Sequence, residues 1–316
     1  MDQFRTTFQI ADFEEPLTYH QSIFSIGSCF AEHMADRLKY FLFKVYSNPN
    51  GILYNPISLA DSILKLLDRN IYQISDLIEH GGLWHSWDHH HSKSGTNPEE
   101  LIQRMNDTVR VSAQNLENAD VILVTFGTAF AYRYLATGQI VANCHKIPNT
   151  EFEKIRLQQN SIVGIWQDVL DRLFSANPKR QVIFTVSPIR HVKDGIVANQ
   201  RSKAALLLSI EALFAQYPRV HYFPSYEIMM DDLRDYRFYT SDLIHPNKIA
   251  LDYIWDLFKN THIESATQSL MNEVDQLQKA RGHRSMHPDS DAAKRFKDET
   301  EKKWVDFKSR YPFLNF

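Results

Sequence analysis

The sequence predicts an α/β fold built on a parallel sheet, and three observations predict it. Continuous apolar runs, as expected of strands covered on both faces, recur at residues 22–26, 119–127, 179–188 and 219–225. Segments with apolar residues three and four apart separate them. The resulting order of strand, helix, strand at this spacing is that of parallel units joined by right-handed crossovers.

The first run leads into "GSCFAEHMADRL", where Phe30, Met34, Leu38 and Phe41 recur at helical spacing. A glycine between strand and helix lets the backbone turn sharply. A side chain placed just after it leaves the strand end facing the first free N–H groups of the helix. Ser28 and Cys29 are therefore candidate nucleophiles. The stretch "YSNPNGILYNP" then breaks the pattern at Asn48, Pro49, Asn50 and Gly51, and a second helix is expected over about 58–70. Further helices are expected over 161–176, 202–216 and 247–260, each beside one of the later strands. Ligands of open parallel sheets sit at the C-terminal strand ends, an edge that carries Gly27 and Ser28, Gly127 and Thr128, and Ser187 and Pro188. Beyond residue 262 the chain is rich in charge. Leu270, Val274 and Leu277 mark one amphipathic helix, and Phe296, Trp304 and Phe307 mark a second after a loop at 281–289. The expected organisation is a main domain over 1–262 and a helical extension over 263–316 that packs on it.

Composition narrows the function. With 316 residues, 43% of them hydrophobic, the chain can bury a large core. A net charge of -3 gives no electrostatic case for nucleic acid or for an anionic membrane surface. No run is long enough to span a bilayer, and residues 1–15, with Asp2, Asp12, Glu14 and Glu15, do not form a secretory signal. Two cysteines are too few for a disulfide framework, which favours a reducing, cytoplasmic setting.

Near the last expected helix of the main domain, "YTSDLIHPNKIALDYIW" places Asp242 three residues before His245. An aspartate at that spacing can hold the imidazole and stabilise its protonated form. With "GSCFA" at 27–31, "LVTFGTAF" at 123–130, "ANCHKIP" at 142–148, "TVSPIRHVKDG" at 185–195, "NQRSKAALL" at 199–207 and "YFPSYEIMMDDLRDYRFY" at 222–239, the chain resembles the GSCFA-domain family of the SGNH/GDSL hydrolase superfamily. The resemblance covers about residues 24–258. It implies a three-layer α/β/α sandwich with a parallel, flavodoxin-like sheet and a hydrolytic ancestry, but no substrate.

Two departures from the superfamily pattern bear on mechanism. In GDSL enzymes the nucleophilic serine is the second residue after the glycine, a position held here by Cys29. Either Cys29 attacks, or the turn is shifted by one residue and Ser28 attacks. A thiol at a helix N-terminus near His245 is expected to have a lowered pKa. The oxyanion motif Gly-x-Asn corresponds to Gly127, Thr128 and Ala129, which offers no side-chain amide. Substitute donors are the backbone N–H groups of Cys29 and Gly51 and the amides of Asn55 or Asn143. His145, Arg190 and His191 are further candidates for the substrate-binding rim.

"WHSWDHHHS" places His85, Asp88, His89, His90 and His91 close together, and Cys144 precedes His145 elsewhere. No second cluster at zinc spacing accompanies either, so neither a metal nor another cofactor is expected. The expected function is an esterase or acyl hydrolase acting on a small-molecule or glycan ester, with carbohydrate deacetylation as one form of it, through Cys29 or Ser28, His245 and Asp242. An acyltransferase using the same residues and a non-catalytic binding protein are the alternatives.

Overall fold

A computed structural model describes residues 6–283 and 285–316, which leaves Arg284 of the 281–289 loop outside the described residues. In chain order, β1 (Ser22–Gly27), α1 (Cys29–Tyr40), β2 (Lys44–Ser47) and α2 (Pro56–Leu67) are followed by the hairpin of β3 (Leu77–His80) and β4 (Leu83–Ser86). Next come α3 (Pro98–Glu117), β5 (Val121–Phe126), β6 (Phe130–Tyr134), β7 (Ile140–Val141), β8 (Phe152–Arg156) and α4 (Gln159–Ala176). The chain continues through β9 (Gln181–Val186), α5 (Ile196–Gln216), β10 (Val220–Phe223) and a helical turn α6 (Ser225–Glu227). It ends in α7 (Lys248–His262), α8 (Ser265–Gly282) and α9 (Asp291–Arg310).

The central sheet has five parallel strands in the order β10-β9-β5-β1-β2. Alternate residues of its strands face two separate cores. Phe24, Ile26, Ile122, Val124, Phe184 and Val186 pack with residues of α2, α3, α4 and α5. Ile23, Val121, Leu123 and Ile183 pack with α1 and α7 on the other face, where Met271 and Val274 of α8 and Trp304 and Phe307 of α9 join them. Two helical layers on one sheet make the α/β/α sandwich, and burial on both faces is why these strands read as unbroken apolar runs. Among the described residues no helix is long and apolar enough to cross a membrane.

The strand order reverses between β1 and β5, the topological switch point where such sheets form a crevice. The turn after β1 opens that crevice. Gly27 has φ +153°, and a Cβ there would lie 2.5 Å from the Thr125 carbonyl oxygen of β5. Its N–H donates to Asn48 Oδ1 (2.8 Å) and its carbonyl accepts from Leu53 N–H (3.1 Å), so the 48–53 turn is stitched to the strand end.

Gly27→Ala should therefore lower stability by about 2–3 kcal/mol, from the combined strain and overlap. Urea denaturation checks it, and an unchanged midpoint would show that the turn relaxes freely.

Candidate active site

A cavity of about 670 Å³ opens at the carboxyl ends of β1, β5 and β9, and Cys29, Tyr54, Thr128, Asn143, His191 and His245 are among the residues that line it. Cys29 is the first residue of α1 and half-buried. The N–H groups of Cys29 and Phe30 point at its sulfur and favour the thiolate, as does the more distant Lys203, yet burial outweighs them and the thiol pKa is raised. This corrects the expectation of a lowered value: the helix terminus is present, but the sulfur lies too far from water for its N–H groups to prevail. Ser28, one residue earlier, is buried, and its Oγ has no hydrogen-bond partner among the described residues. It does not line the cavity.

His245 stands at the cavity rim, half-exposed, in the turn before α7. Its Nδ1–H donates to Asp242 Oδ2 (2.6 Å), leaving Nε2 as the free ring nitrogen. Asp242 is itself fixed: Oδ1 accepts from the Thr240 hydroxyl (2.7 Å) and from the N–H groups of Ile244 (2.8 Å) and His245 (3.0 Å). These donors, led by the His245 backbone N–H, hold the Asp242 carboxyl well below the usual carboxylate range. Asp242 is thus a carboxylate that orients the ring. No hydrogen bond joins His245 to Cys29 among the described residues, although both face the same space.

The oxyanion candidates separate clearly. Gly51 N–H donates to Asn48 O (2.9 Å), and the Gly127 and Thr128 N–H groups both donate to Tyr54 O (2.8 and 3.1 Å), so none of the three points into the cavity as a free donor. Asn55 caps α2, accepting from Ser58 N–H (2.9 Å) and donating Nδ2 to Ser58 Oγ (2.9 Å), though it lines the cavity. Asn143 uses Oδ1 to accept from His145 N–H (2.8 Å), while its Nδ2 has no protein partner among the described residues. Of the oxyanion candidates, the Cys29 N–H and Asn143 Nδ2 remain on cavity-lining residues, with the Phe30 N–H beside the Cys29 sulfur.

Arg190 and His191 both line the cavity. A guanidinium nitrogen of Arg190 lies 3.1 Å from the Met230 sulfur, and burial pushes the His191 imidazole down to about 4. His145, expected at the rim, lies behind it, buried and stacked on His85 with ring centroids 4.4 Å apart. The same fold brings His91 to this pair, so that one ligand atom from each of His85, His91 and His145 lies within 4.8 Å of the others. Reading the two histidine stretches separately did not anticipate this meeting.

Lys203 was missed. It is fully buried on α5, and its ammonium donates to Gly127 O and Ser187 O, both at 2.7 Å, tying together the ends of β5 and β9. Burial pushes its pKa down to about 7. Its signal was present in the sequence: Asn199, Ser202 and Lys203 share a helical face with Leu206, Ile210 and Leu213, so a lysine sits inside an apolar stripe. Lys154 and Asp194, an ion pair at the cavity wall, were also missed.

The GSCFA family profile matches residues 22–258. The chain belongs to the GSCFA family. A second profile, the C-terminal domain of GSCFA domain proteins, matches residues 274–316, which hold most of α8 and all of α9. No curated protein matches this GSCFA chain. Among solved structures it is similar to a family 3 carbohydrate esterase of Clostridium thermocellum, with 13% identity and a TM-score of 0.34 over 80% of this chain and 98% of that one. It is similar to the acetyl xylan esterase Est2A of Butyrivibrio proteoclasticus, with 14% identity and a TM-score of 0.38 over 77% of this chain and 65% of that one. A family 3 carbohydrate esterase of Talaromyces cellulolyticus gives 11% identity and a TM-score of 0.26 over 51% of this chain, which spans 65% of that one. Likeness at this level carries no argument about chemistry, which rests on the site.

A raised thiol pKa sets a pH dependence. Because the thiolate is the reactive form, alkylation of Cys29 by iodoacetamide should still be climbing as pH passes 9.0, the thiol's ordinary value, rather than levelling off below it. Cys144, pushed up to about 11, should react more slowly at every pH in that range. Peptide mass mapping across pH checks both, and a Cys29 plateau below pH 8 would show a thiolate already formed in the site.

Proposed function

We propose that this chain is an acyl-ester hydrolase in which Cys29 is the nucleophile, His245 the general base and Asp242 the residue that orients it. The observation that carries the reading is the placement of Cys29 and an Asp242-bound His245 on one cavity, with Ser28 Oγ buried away from it. Since burial keeps the Cys29 thiol protonated near neutral pH, the base is needed at the moment of attack. His245 Nε2 takes the Sγ proton as sulfur bonds to the ester carbonyl carbon. The resulting oxyanion is received by the N–H groups of Cys29 and Phe30 and by Asn143 Nδ2. The carbon–oxygen bond then breaks, and the imidazolium returns the proton to the departing alkoxide. Water, deprotonated by the same Nε2, cleaves the thioester and frees the acid and Cys29.

Catalytic contact calls for His245 and Cys29 to approach, because no hydrogen bond joins them without substrate. Such bonds are often long in unliganded sites and tighten when the acyl group binds. The cavity volume suits an ester of sugar size. Tyr54, with its ring edge-on to His191 (5.8 Å), offers an aromatic wall for a sugar face, which supports an acetylated carbohydrate as the substrate class.

Purified protein should hydrolyse a generic aryl acetate. Cys29→Ala should abolish turnover and Asp242→Asn should lower kcat by about 100-fold or more, while Ser28→Ala retains most of it. If Ser28→Ala abolishes hydrolysis and Cys29→Ala spares it, the nucleophile is misassigned. Activity untouched by all three places the site elsewhere.

A further inference from the structure

His85 lies on β4, His91 on the short helical turn after it, and His145 on the loop that follows β7. That loop holds His145 and Lys146 in the left-handed region, at φ 50° and 62°. Side chains distant in sequence thus meet through a backbone conformation that non-glycine residues seldom adopt.

The hydrogen bonds fix which nitrogens carry protons. His145 Nε2 lies 2.8 Å from Ser86 O, and His85 Nε2 lies 3.0 Å from His80 O. A carbonyl oxygen only accepts, so both Nε2 atoms must donate, and both Nδ1 atoms hold a lone pair. Among the described residues the buried His145 Nδ1 has no hydrogen-bond partner, and neither has His91 Nδ1. His85 Nδ1 accepts from the Ser94 hydroxyl (2.6 Å), which can rotate away. An imidazole whose far N–H is pinned to a backbone carbonyl, with its near nitrogen unpartnered, is the arrangement by which proteins present histidine to a metal. A buried acceptor with nothing to receive is otherwise a cost to the fold.

We propose that His85, His91 and His145 together bind one divalent transition-metal ion of the zinc class. Three neutral imidazoles suit such an ion, whereas magnesium and calcium require oxygen donors. A tetrahedral zinc with Zn–N bonds of about 2.0–2.1 Å spaces its nitrogens about 3.3 Å apart, so the atoms, now within 4.8 Å of one another, need close by at most about 1.5 Å. None of the three lines the cavity, but Asn143 and Cys144 beside His145 do. The ion therefore clamps the histidine-rich loop to the segment that forms the cavity wall.

Tag-free, chelator-stripped full-length protein is titrated with Zn²⁺ by calorimetry and with Co²⁺ by visible absorption. The expected result is one ion per chain, a tetrahedral Co²⁺ spectrum and a higher Tm with zinc. His145→Gln and His91→Ala should each weaken binding by more than about 100-fold, beyond what loss of a supporting hydrogen bond costs, while His90→Ala keeps it. His91 is half-buried, so His91→Ala tests the site with the fold verified by circular dichroism even if His145→Gln fails to fold. No uptake by the wild type, binding unchanged in His91→Ala, or equal loss in His90→Ala would each overturn the assignment.

Discussion

The turn at Gly27 is the constraint on which the site depends. A side chain there would overlap the Thr125 carbonyl of the neighbouring strand. With glycine, the chain leaves β1 and enters α1 within two residues, and the first helical side chain, Cys29, reaches the crevice at the switch point. The same glycine holds the 48–53 turn through Asn48 and Leu53. That turn in turn holds the histidine-rich loop, since His90 N–H donates to Asn50 O (2.8 Å) and a Cβ on Gly51 would lie 2.6 Å from His90 Cβ. One backbone conformation thus positions the candidate nucleophile and one wall of its cavity.

Electrostatics at the site favour neutral groups. Burial raises the Cys29 thiol and lowers Lys203 and His191, and in each case loss of water is the largest cause. Lys203 is held in this dry setting by its two carbonyl acceptors, Gly127 O and Ser187 O. The exception is the rim, where Asp242 gathers donors from Thr240, Ile244 and His245 and stays charged in contact with water. On the proposed mechanism, the Cys29 proton passes outward to His245 at this wet edge only when an acyl group is there to receive the sulfur.

The central strands were legible because burial on both faces leaves an unbroken apolar run; β5, β9 and β10 lie inside their expected runs, trimmed by one or two residues at each end, and β1 extends one residue past its own. The helix α3 was not anticipated, since only a narrow stripe of Leu101, Met105, Val109 and Leu116 in a polar stretch marks its core face. The edge strand β2 and the small antiparallel strands β3, β4, β6, β7 and β8 are short and partly exposed, so they lack the long runs that announce the core. At the site, the Asp242–His245 hydrogen bond was legible from local spacing. The sign of the Cys29 shift was not, because helix position is written in sequence while depth below the surface is set by distant residues. The histidine cluster was hidden for the same reason: His145 reaches His85 and His91 only through the tertiary fold.

The most direct measurement is of the acyl-enzyme itself. Protein mixed with an aryl acetate, quenched in acid within the first turnovers and digested, should carry one acetyl group on the Cys29 peptide, and hydroxylamine at neutral pH should remove it as a thioester. An acetyl on Ser28, or steady turnover with no acetyl on Cys29 at any quench time, would contradict the account.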